Sequence, residues 1–525
     1  MRAGEKVGWG ILIGSAMVLL PLLLVAGNVF RQVALPRDPT LPPLVFHYIP
    51  WFGSAATYGM DPYKFLFDCR EQYGDLFTFI LLGRRMTVAL GPKGNNLILG
   101  GKLSQVSAED AYTHLTTPVF GKGVVYDCPN EMLMQQKRMV KFGLSTENFK
   151  SYVPLIKKEA TDFMNNELKP VAGEWKQAHA LHSMAELTIL TASATLQGKE
   201  VRGKLDKTFA RRYEALDGGF TPINFMFPNL PLPSYKKRDK AQREMSEFYQ
   251  EIIRGRREGG ADHDHDMIAA LMSSAYRDGT PLSDSDIAHM MIALLMAGQH
   301  TSSATSSWTL LHLADRPDVY EELYQEQKEK FGNPDGTFRD LTYEDLKDLP
   351  LLDSCIRETL RIHAPIHSIM RKVMSDIPVP TSVAAPAIPE KNASYVIPEG
   401  HFVLASPGVA QMDPKVWQDA SIWNPHRWVD EKGVASKALA EYDGGDKIDY
   451  GYGSVSKGTE SPYQPFGAGR HRCIGESFAY LQLQTILATF IRNMEMKLEE
   501  PFPKTNYQTM VVLPLPAKIS YRLRK

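Results

Sequence analysis

"FGAGRHRCIGE", Phe466 to Glu476, holds one of only four cysteines in a chain of 525 residues. Glycines fence it at positions 467, 469 and 475, and Arg470, His471 and Arg472 come just before the thiol. The pattern predicts a helix that begins at about Cys473 and runs on through "IGESFAYLQLQTILATFIRNM". A thiolate is favoured at such a start, because the helix dipole and neighbouring cations both stabilise negative sulfur. The glycines let the backbone approach something flat and bulky. Taken alone, a cysteine of this kind is as readily an inert core residue.

The other cysteines, Cys69, Cys128 and Cys355, lie far apart with no CxxC pair. Neither a disulfide framework nor a zinc knuckle is signalled, which suits a reducing compartment. Hydrophobic residues make up 43% and charged residues 23%, ordinary globular values. The formal net charge of -1 lacks the polybasic character that nucleic-acid binding needs, so nucleic acid is excluded as a partner.

From Val7 to Phe30 no charged residue occurs, and "GWGILIGSAMVLLPLLLVAGNVF" is 23 residues long. As a helix it measures roughly 34 Å against a hydrocarbon core of about 30 Å. We expect residues 1–34 to be a membrane anchor with a transmembrane helix over about 8–30. A signal peptide is the alternative, but its apolar stretch is usually only about 7–15 residues. Arg2 and Lys6 before the run and Arg31 and Arg37 after it are too balanced to orient the span. Residues 35–53, "LPRDPTLPPLVFHYIPWFG", read as a stiff proline-rich linker, and 54–525 as the globular body.

Helical periodicity dominates from about Asp61 to Pro365. From Ile377 to Trp428 short β-like pieces sit between prolines, and Glu431 to Pro465 reads as irregular loop. The body is therefore expected to be mainly α with a small β-sheet region. His263 and His265 in "DHDHD" read as a solvated acidic loop more readily than as a metal site. In "CIRETLR", Glu358 and Arg361 are three apart on a predicted helix and meet on one face. A long helix from about Ser283 to Leu313 is apolar all round at "IALLMA" and must be buried. Into it "GQHTSSATSS" inserts Gly298, Gln299, His300, Thr301 and a string of hydroxyls. Either these back-bond to helix carbonyls or the helix kinks or widens at Gly298.

The combination F-x-x-G-x-x-x-C-x-G resembles the haem-binding loop of the cytochrome P-450 family, and the chain is expected to take that fold behind its transmembrane helix. The resemblance makes Cys473 the axial thiolate ligand to the iron of haem b. Where that family usually carries Arg two residues before the cysteine, His471 stands here. The resemblance also makes Glu358, Arg361 and Arg427 of "NPHRW" a structural clamp. It lays the long helix across the haem, with His300 and Thr301 as the catalytic pair that delivers protons to oxygen.

"AGQHTS", with "AYTHLTTPVFGKGVVYDCPN" from Ala111 to Asn130, "FTPINFMFPNLPLP" and "HAPIHSIMRKV", is similar to the fungal sterol 14α-demethylases over nearly the whole chain. By that similarity Tyr112, Tyr126, Lys137, Arg371 and His471 bind the haem propionates. Leu115, Phe120, Tyr126, Phe220, Phe225, Gly298, Ser368, Met370 and Met510 line the sterol cavity, the site that azole inhibitors share. The implied reaction is three successive oxidations that remove a sterol 14α-methyl as formate in ergosterol biosynthesis. O2 and NADPH are consumed through a separate NADPH–cytochrome P-450 reductase, since no flavin-domain length is present. That partner implies an endoplasmic reticulum membrane protein with a single span and a cytosol-facing body, on which the sequon at Asn392 goes unglycosylated. The alternatives are another haem-thiolate enzyme, either a different sterol or lipid hydroxylase or an NADPH-independent isomerase, and a non-catalytic sterol carrier.

Overall fold

In the computed structural model the described residues are 2–259, 266–383 and 394–524, with side chains from Met17 onward. His263, His265 and Asn392 lie outside them. The architecture is mainly helical with small sheets. Six helices matter for the site: α1 (Glu109–Phe120), α2 (Asn130–Gly143), α3 (Lys207–Asp217), α4 (Asp284–Asp315), α5 (Pro350–Ile362) and α6 (Glu476–Asn493).

The long helix α4 is started by a capping box. The Asp286 N–H donates to Ser283 Oγ at 3.0 Å, and the Ser283 N–H donates back to the Asp286 carboxylate at 3.3 Å. It ends where Arg316 leaves helical geometry and Pro317 opens the next helix. Ile287, Met291, Leu311 and Leu313 along it are fully buried, each contributing roughly 1.5–3 kcal/mol. The hydroxyls of its polar run turn back on the helix: Thr301 to the Ala297 carbonyl at 2.8 Å, Thr305 to Thr301 at 2.8 Å, Ser306 to Ser302 at 2.7 Å and Thr309 to Thr305 at 2.8 Å. The α-helix runs unbroken through Gly298, so back-bonding is how the buried hydroxyls are satisfied, with no widened turn.

The principal sheet joins β1 (Leu76–Leu81), β2 (Arg84–Ala89), β3 (Val106–Ser107), β4 (Ile369–Val373) and β5 (Phe402–Ala405) in the order β1-β2-β5-β4-β3. The β1–β2 hairpin lies in the stretch whose periodicity reads as helical. Its strands are buried nearly continuously, Phe77 and Phe79 fully, and give no clean alternation to read.

Two expectations are corrected. The last long helix starts at Glu476, not at Cys473. The Cys473 N–H is donated to the Phe466 carbonyl at 3.0 Å, closing a loop that a helix cannot include. The stretch 431–465 is not wholly irregular: Val434–Gly444 is a helix, held because Ala435, Ala438 and Tyr442 pack against Trp417 and Tyr463.

The first helix, Arg2–Ala34, reaches the body through a buried amide clasp. Asn28 Nδ2 donates to the His47 and Tyr48 carbonyls at 2.8 and 3.0 Å, and Gln32 Nε2 to the His47 carbonyl at 2.7 Å. The His47 N–H returns to Gln32 Oε1 at 3.2 Å. Among the described residues no helix is long and apolar enough to cross a membrane.

Candidate active site

The Cys473 loop is shaped by glycines that no other residue replaces. Gly467 and Gly469 sit at φ of 69° and 66°, and a Cβ at Gly469 would lie 2.5 Å from the Leu99 carbonyl oxygen. Cys473 itself is exposed, yet burial raises its thiol pKa, opposed by the Gly475 N–H and by Lys137 and Arg472. Accessible but surrounded by protein, the sulfur faces an interior cleft. Arg472 helps less than its position suggests, because Asp443 and Glu476 pair with it at 2.8 and 3.0 Å.

Between Ile287 and Ala314, α4 is most open at one turn. Ala297 is exposed, Gly298 and Thr301 are partly so, and a Cβ built on Gly298 meets nothing within 4 Å. An accessible sulfur and an open helix face fit a flat group ligated through sulfur.

Around the cleft's rim the structure gathers all five residues expected to hold carboxylates. Tyr112 and Tyr126 stack with centroids 5.3 Å apart, and the Tyr126 ring lies 6.0 Å from that of His471. The Met370 N–H donates to Tyr112 Oη at 2.8 Å, which leaves the phenol proton to give elsewhere. The Tyr126 phenol is pushed up to about 12 by burial, with Arg371 opposing, and stays protonated as a donor. Lys137 Nζ donates to the Arg470 and Arg472 carbonyls at 3.0 and 2.9 Å, and burial pushes its pKa down to about 7. Arg371 is buried, bonds the Met370 carbonyl at 2.7 Å, and has no carboxylate partner among the described residues. His471 is held well below the usual histidine range by burial, then by Arg371, Lys137 and Arg470. A buried cluster of cations without anions is chemically fitted to a dianionic edge, such as the two carboxylates of haem.

The apolar residues expected at the cavity touch this rim through Phe225 and Tyr112. Leu115 and Phe120 are buried on α1, Phe120 stacks on Phe220 at 5.8 Å, and Phe225 lies 6.1 Å from Tyr112. Ser368 Oγ bonds His367 Nδ1 at 2.8 Å and Ser406 Oγ at 3.2 Å, and Met370 is buried on β4. Met510 is half-buried on the loop 507–512.

His300 is placed beside two residues that the sequence reading missed. Its Nε2 lies 2.8 Å from Asp217 Oδ1 and 3.2 Å from Tyr213 Oη, both on α3. Tyr213 donates to Gln299 Oε1 at 2.7 Å, so toward His300 it can only accept. Both contacts therefore take the proton of Nε2, and Nδ1 is left as the acceptor. No local signal marks these partners, since Tyr213 and His300 are 87 residues apart.

The clamp assembles as expected, but deeper. Glu358 and Arg361 are both 0% exposed, paired through both oxygens at 2.8 and 2.9 Å. Arg427 Nε donates to Glu358 at 2.9 Å, and the Asn424 N–H and Trp428 Nε1 each add a bond at 3.0 Å. His426 takes no part and meets Glu322 instead, at 3.3 Å.

The cytochrome P450 family matches this chain over residues 39–521. The lanosterol 14-alpha demethylase of Mycosarcoma maydis is 55% identical over 514 residues, covering 95% of this chain and 91% of that protein. The eburicol 14-alpha-demethylase of Uncinula necator is 50% identical over 527 residues, covering 99% and 97%. Among solved structures, the retinoic acid bound cyanobacterial CYP120A1 has a TM-score of 0.74 at 18% identity, covering 93% of this chain and 100% of that one, a likeness of fold alone. With a match that runs from the residues after the first helix into the last strand, and an accessible thiol in a glycine-framed loop, the chain belongs to the cytochrome P450 family.

Proposed function

We propose that this chain is a sterol 14α-demethylase, which removes the 14α-methyl of lanosterol- or eburicol-type sterols in three oxidations and releases it as formate. The observation that carries the reading is the accessible Cys473 in its glycine-framed loop with Lys137, Arg371 and His471 beside it and no carboxylate paired to them among the described residues. The names of relatives at 55% and 50% identity supply the substrate class. Bound haem supplies the oxygen activation and the oxidising power, with O2 and NADPH-derived electrons delivered by a separate reductase.

The chain's own residues hold, orient and move protons. Cys473 ligates the iron, and Tyr112, Tyr126, Lys137, Arg371 and His471 bind the carboxylates of the ring. Leu115, Phe120, Tyr126, Phe220, Phe225, Gly298, Ser368, Met370 and Met510 shape the apolar cavity and exclude water from the sterol. His300 keeps its Nε2 proton on the Asp217 carboxylate, 42% exposed and 2.8 Å away, while Nδ1 takes up a proton and gives it on again, with Asp217 balancing the imidazolium formed in between. The Thr301 hydroxyl gives its proton to the Ala297 carbonyl, so its oxygen lone pairs accept from the proton being delivered. Glu358, Arg361 and Arg427 hold the fold beneath the site.

Residues 1–34 are the endoplasmic reticulum anchor, with the body in the cytosol. Exposed Leu19, Leu20, Leu22, Leu23 and Leu24 on the first helix support this. So do exposed Ile49, Trp51 and Phe52 beyond it, where Trp51 stacks on Phe227 at 6.0 Å. Azole inhibitors occupy the sterol cavity by the same reading.

The test is the reduced, carbon monoxide-bound difference spectrum, then product analysis with a reductase and a panel of 14α-methyl sterols. A thiolate-type spectrum with formate and a C14–C15 double bond is expected. Cys473→Ala should abolish spectrum and turnover, while Cys69→Ser, Cys128→Ser and Cys355→Ser retain both. A different oxidation product, or turnover without NADPH, would replace the reading with another haem-thiolate enzyme.

A further inference from the structure

The face that α4 opens at Ala297 and Thr301 continues along the helix through Ala304 to Trp308, at spacings of four, seven and eleven residues. Trp308 is fully buried. Its indole stacks flat on His363, centroids 3.7 Å apart and planes 2° from parallel. His363 is fixed in turn by His312, the two Nε2 atoms 2.9 Å apart, so that one ring donates and the other accepts. Phe502 packs beside both, its ring centroid 6.0 Å from that of Trp308 and 4.5 Å from that of His312. The indole therefore has one orientation, and in it Nε1 donates to the Val512 carbonyl at 3.2 Å.

Val512 is the foot of the loop 507–512, which closes between the paired strands Thr505–Asn506 and Leu513–Pro514. Its N–H is donated to the Pro365 carbonyl at 3.0 Å, so both backbone polar groups are pinned. Met510 stands two residues before it. Neither side chain of the Trp308–His363 pair belongs to the proton path or to the clamp, yet the pair ties the reactive helix to this loop.

We propose that Trp308 is a positioning residue for the sterol cavity: by holding Val512 it sets where the loop 507–512 places Met510. The proposal rests on the reading of Met510 as a cavity residue. It assigns to a core tryptophan a share of substrate affinity, with no share in proton delivery.

Trp308→Phe keeps the stacked ring and removes only the N–H donor. Trp423→Phe is the control, because Trp423 is another buried indole, donating to Thr359 Oγ1 at 3.1 Å on the other side of His312. In holoenzyme, Trp308→Phe should raise the spectral Kd for lanosterol by about two- to tenfold, the effect of one hydrogen bond, with kcat near wild type. Amide exchange across 507–512 should quicken in Trp308→Phe and stay unchanged in Trp423→Phe. Met510→Ala should weaken lanosterol similarly, and the double variant with Trp308→Phe should add little further.

Wild-type exchange and affinity in Trp308→Phe, or the same effects in Trp423→Phe, would overturn the proposal. In the wild-type protein itself, lanosterol should slow exchange of the Trp308 indole proton together with the 507–512 amides, and no such coupling would overturn it even if the variant failed to fold. Should the wild type bind no 14α-methyl sterol, the sterol reading falls, while the amide comparison still decides whether Trp308 holds the loop.

Discussion

Two buried charge clusters in this molecule are built in opposite ways. Around Glu358 every charge has a partner: one carboxylate takes five bonds, from Arg361 twice, Arg427, Asn424 and Trp428. Around Cys473 the cations Lys137 and Arg371 hydrogen-bond only backbone carbonyls among the described residues, with Lys137 also over the Tyr452 ring at 4.4 Å, and neither has a carboxylate partner there. A buried charge is tolerable only when compensated. The first cluster is complete within the chain, so its role is to hold the fold. The second is complete only with an anion from outside the chain, so its role is to bind.

The largest expected effect comes from making the first cluster resemble the second. Glu358→Gln leaves Arg361 and Arg427 without their carboxylate and should cost about 3–5 kcal/mol. The measurement is the urea midpoint of the haem-loaded protein, or its yield where nothing folds. A shift within error would show that the pairing is dispensable and erase the contrast.

His300 stands between the extremes, half-buried with a single carboxylate that is itself open to water. His300→Ala should leave haem content and sterol binding nearly intact and lower turnover by roughly 10²–10⁴. NADPH would still be consumed and peroxide released. His300→Asp should recover part of the ratio of formate formed to NADPH oxidised, and wild-type coupling in the alanine variant would return His300 to a structural role.

A titration sharpens the contrast. With no anion beside it Lys137 has a pKa pushed down to about 7 by burial, against an ordinary value of about 10.4. A propionate restores the charge, so between those two values haem binding should take up about one proton more in the wild type than in Lys137→Met, against the proton that Cys473 releases on ligation in both. Below pH 7 the amine is already charged and the uptake should vanish. Calorimetry in buffers of different ionisation enthalpy reads the uptake, and Lys137→Met should lose it.

The smallest effect is at Tyr126, a neutral donor on the same rim. Tyr126→Phe should keep the fold and weaken iron-ligating azoles by about two- to tenfold, the worth of one hydrogen bond. Unchanged azole titrations and unchanged sterol turnover would leave it a packing ring only.

What could be read from the chain follows the same division. The Cys473 loop and the Glu358–Arg361 pair announce themselves because their parts are close in sequence and their spacing is dictated by one turn or one helix face. The expected start of α4 at about Ser283 lies within a residue of the observed one at Asp284. Asp217 and Tyr213 gave no sign, since an ordinary amphipathic helix carries them and only tertiary packing brings them to His300. The full burial of Glu358 was hidden for a similar reason, because its cover comes from Trp428 and Asn424, far along the chain. The helix at Val434–Gly444 escaped because its buried face is only two alanines and Tyr442, in a stretch rich in turn formers.

The amide clasp at the end of the first helix bears on mechanics. A proline-rich linker read from sequence is a tether, and a tether transmits tension but no torque. Asn28 and Gln32 replace it with a joint of at least four hydrogen bonds between the helix and residues 47–48. Rotation about that joint breaks bonds that are buried from water, so the first helix and the catalytic body turn as one lever. Any surface that grips the helix thereby also dictates how the catalytic body is turned.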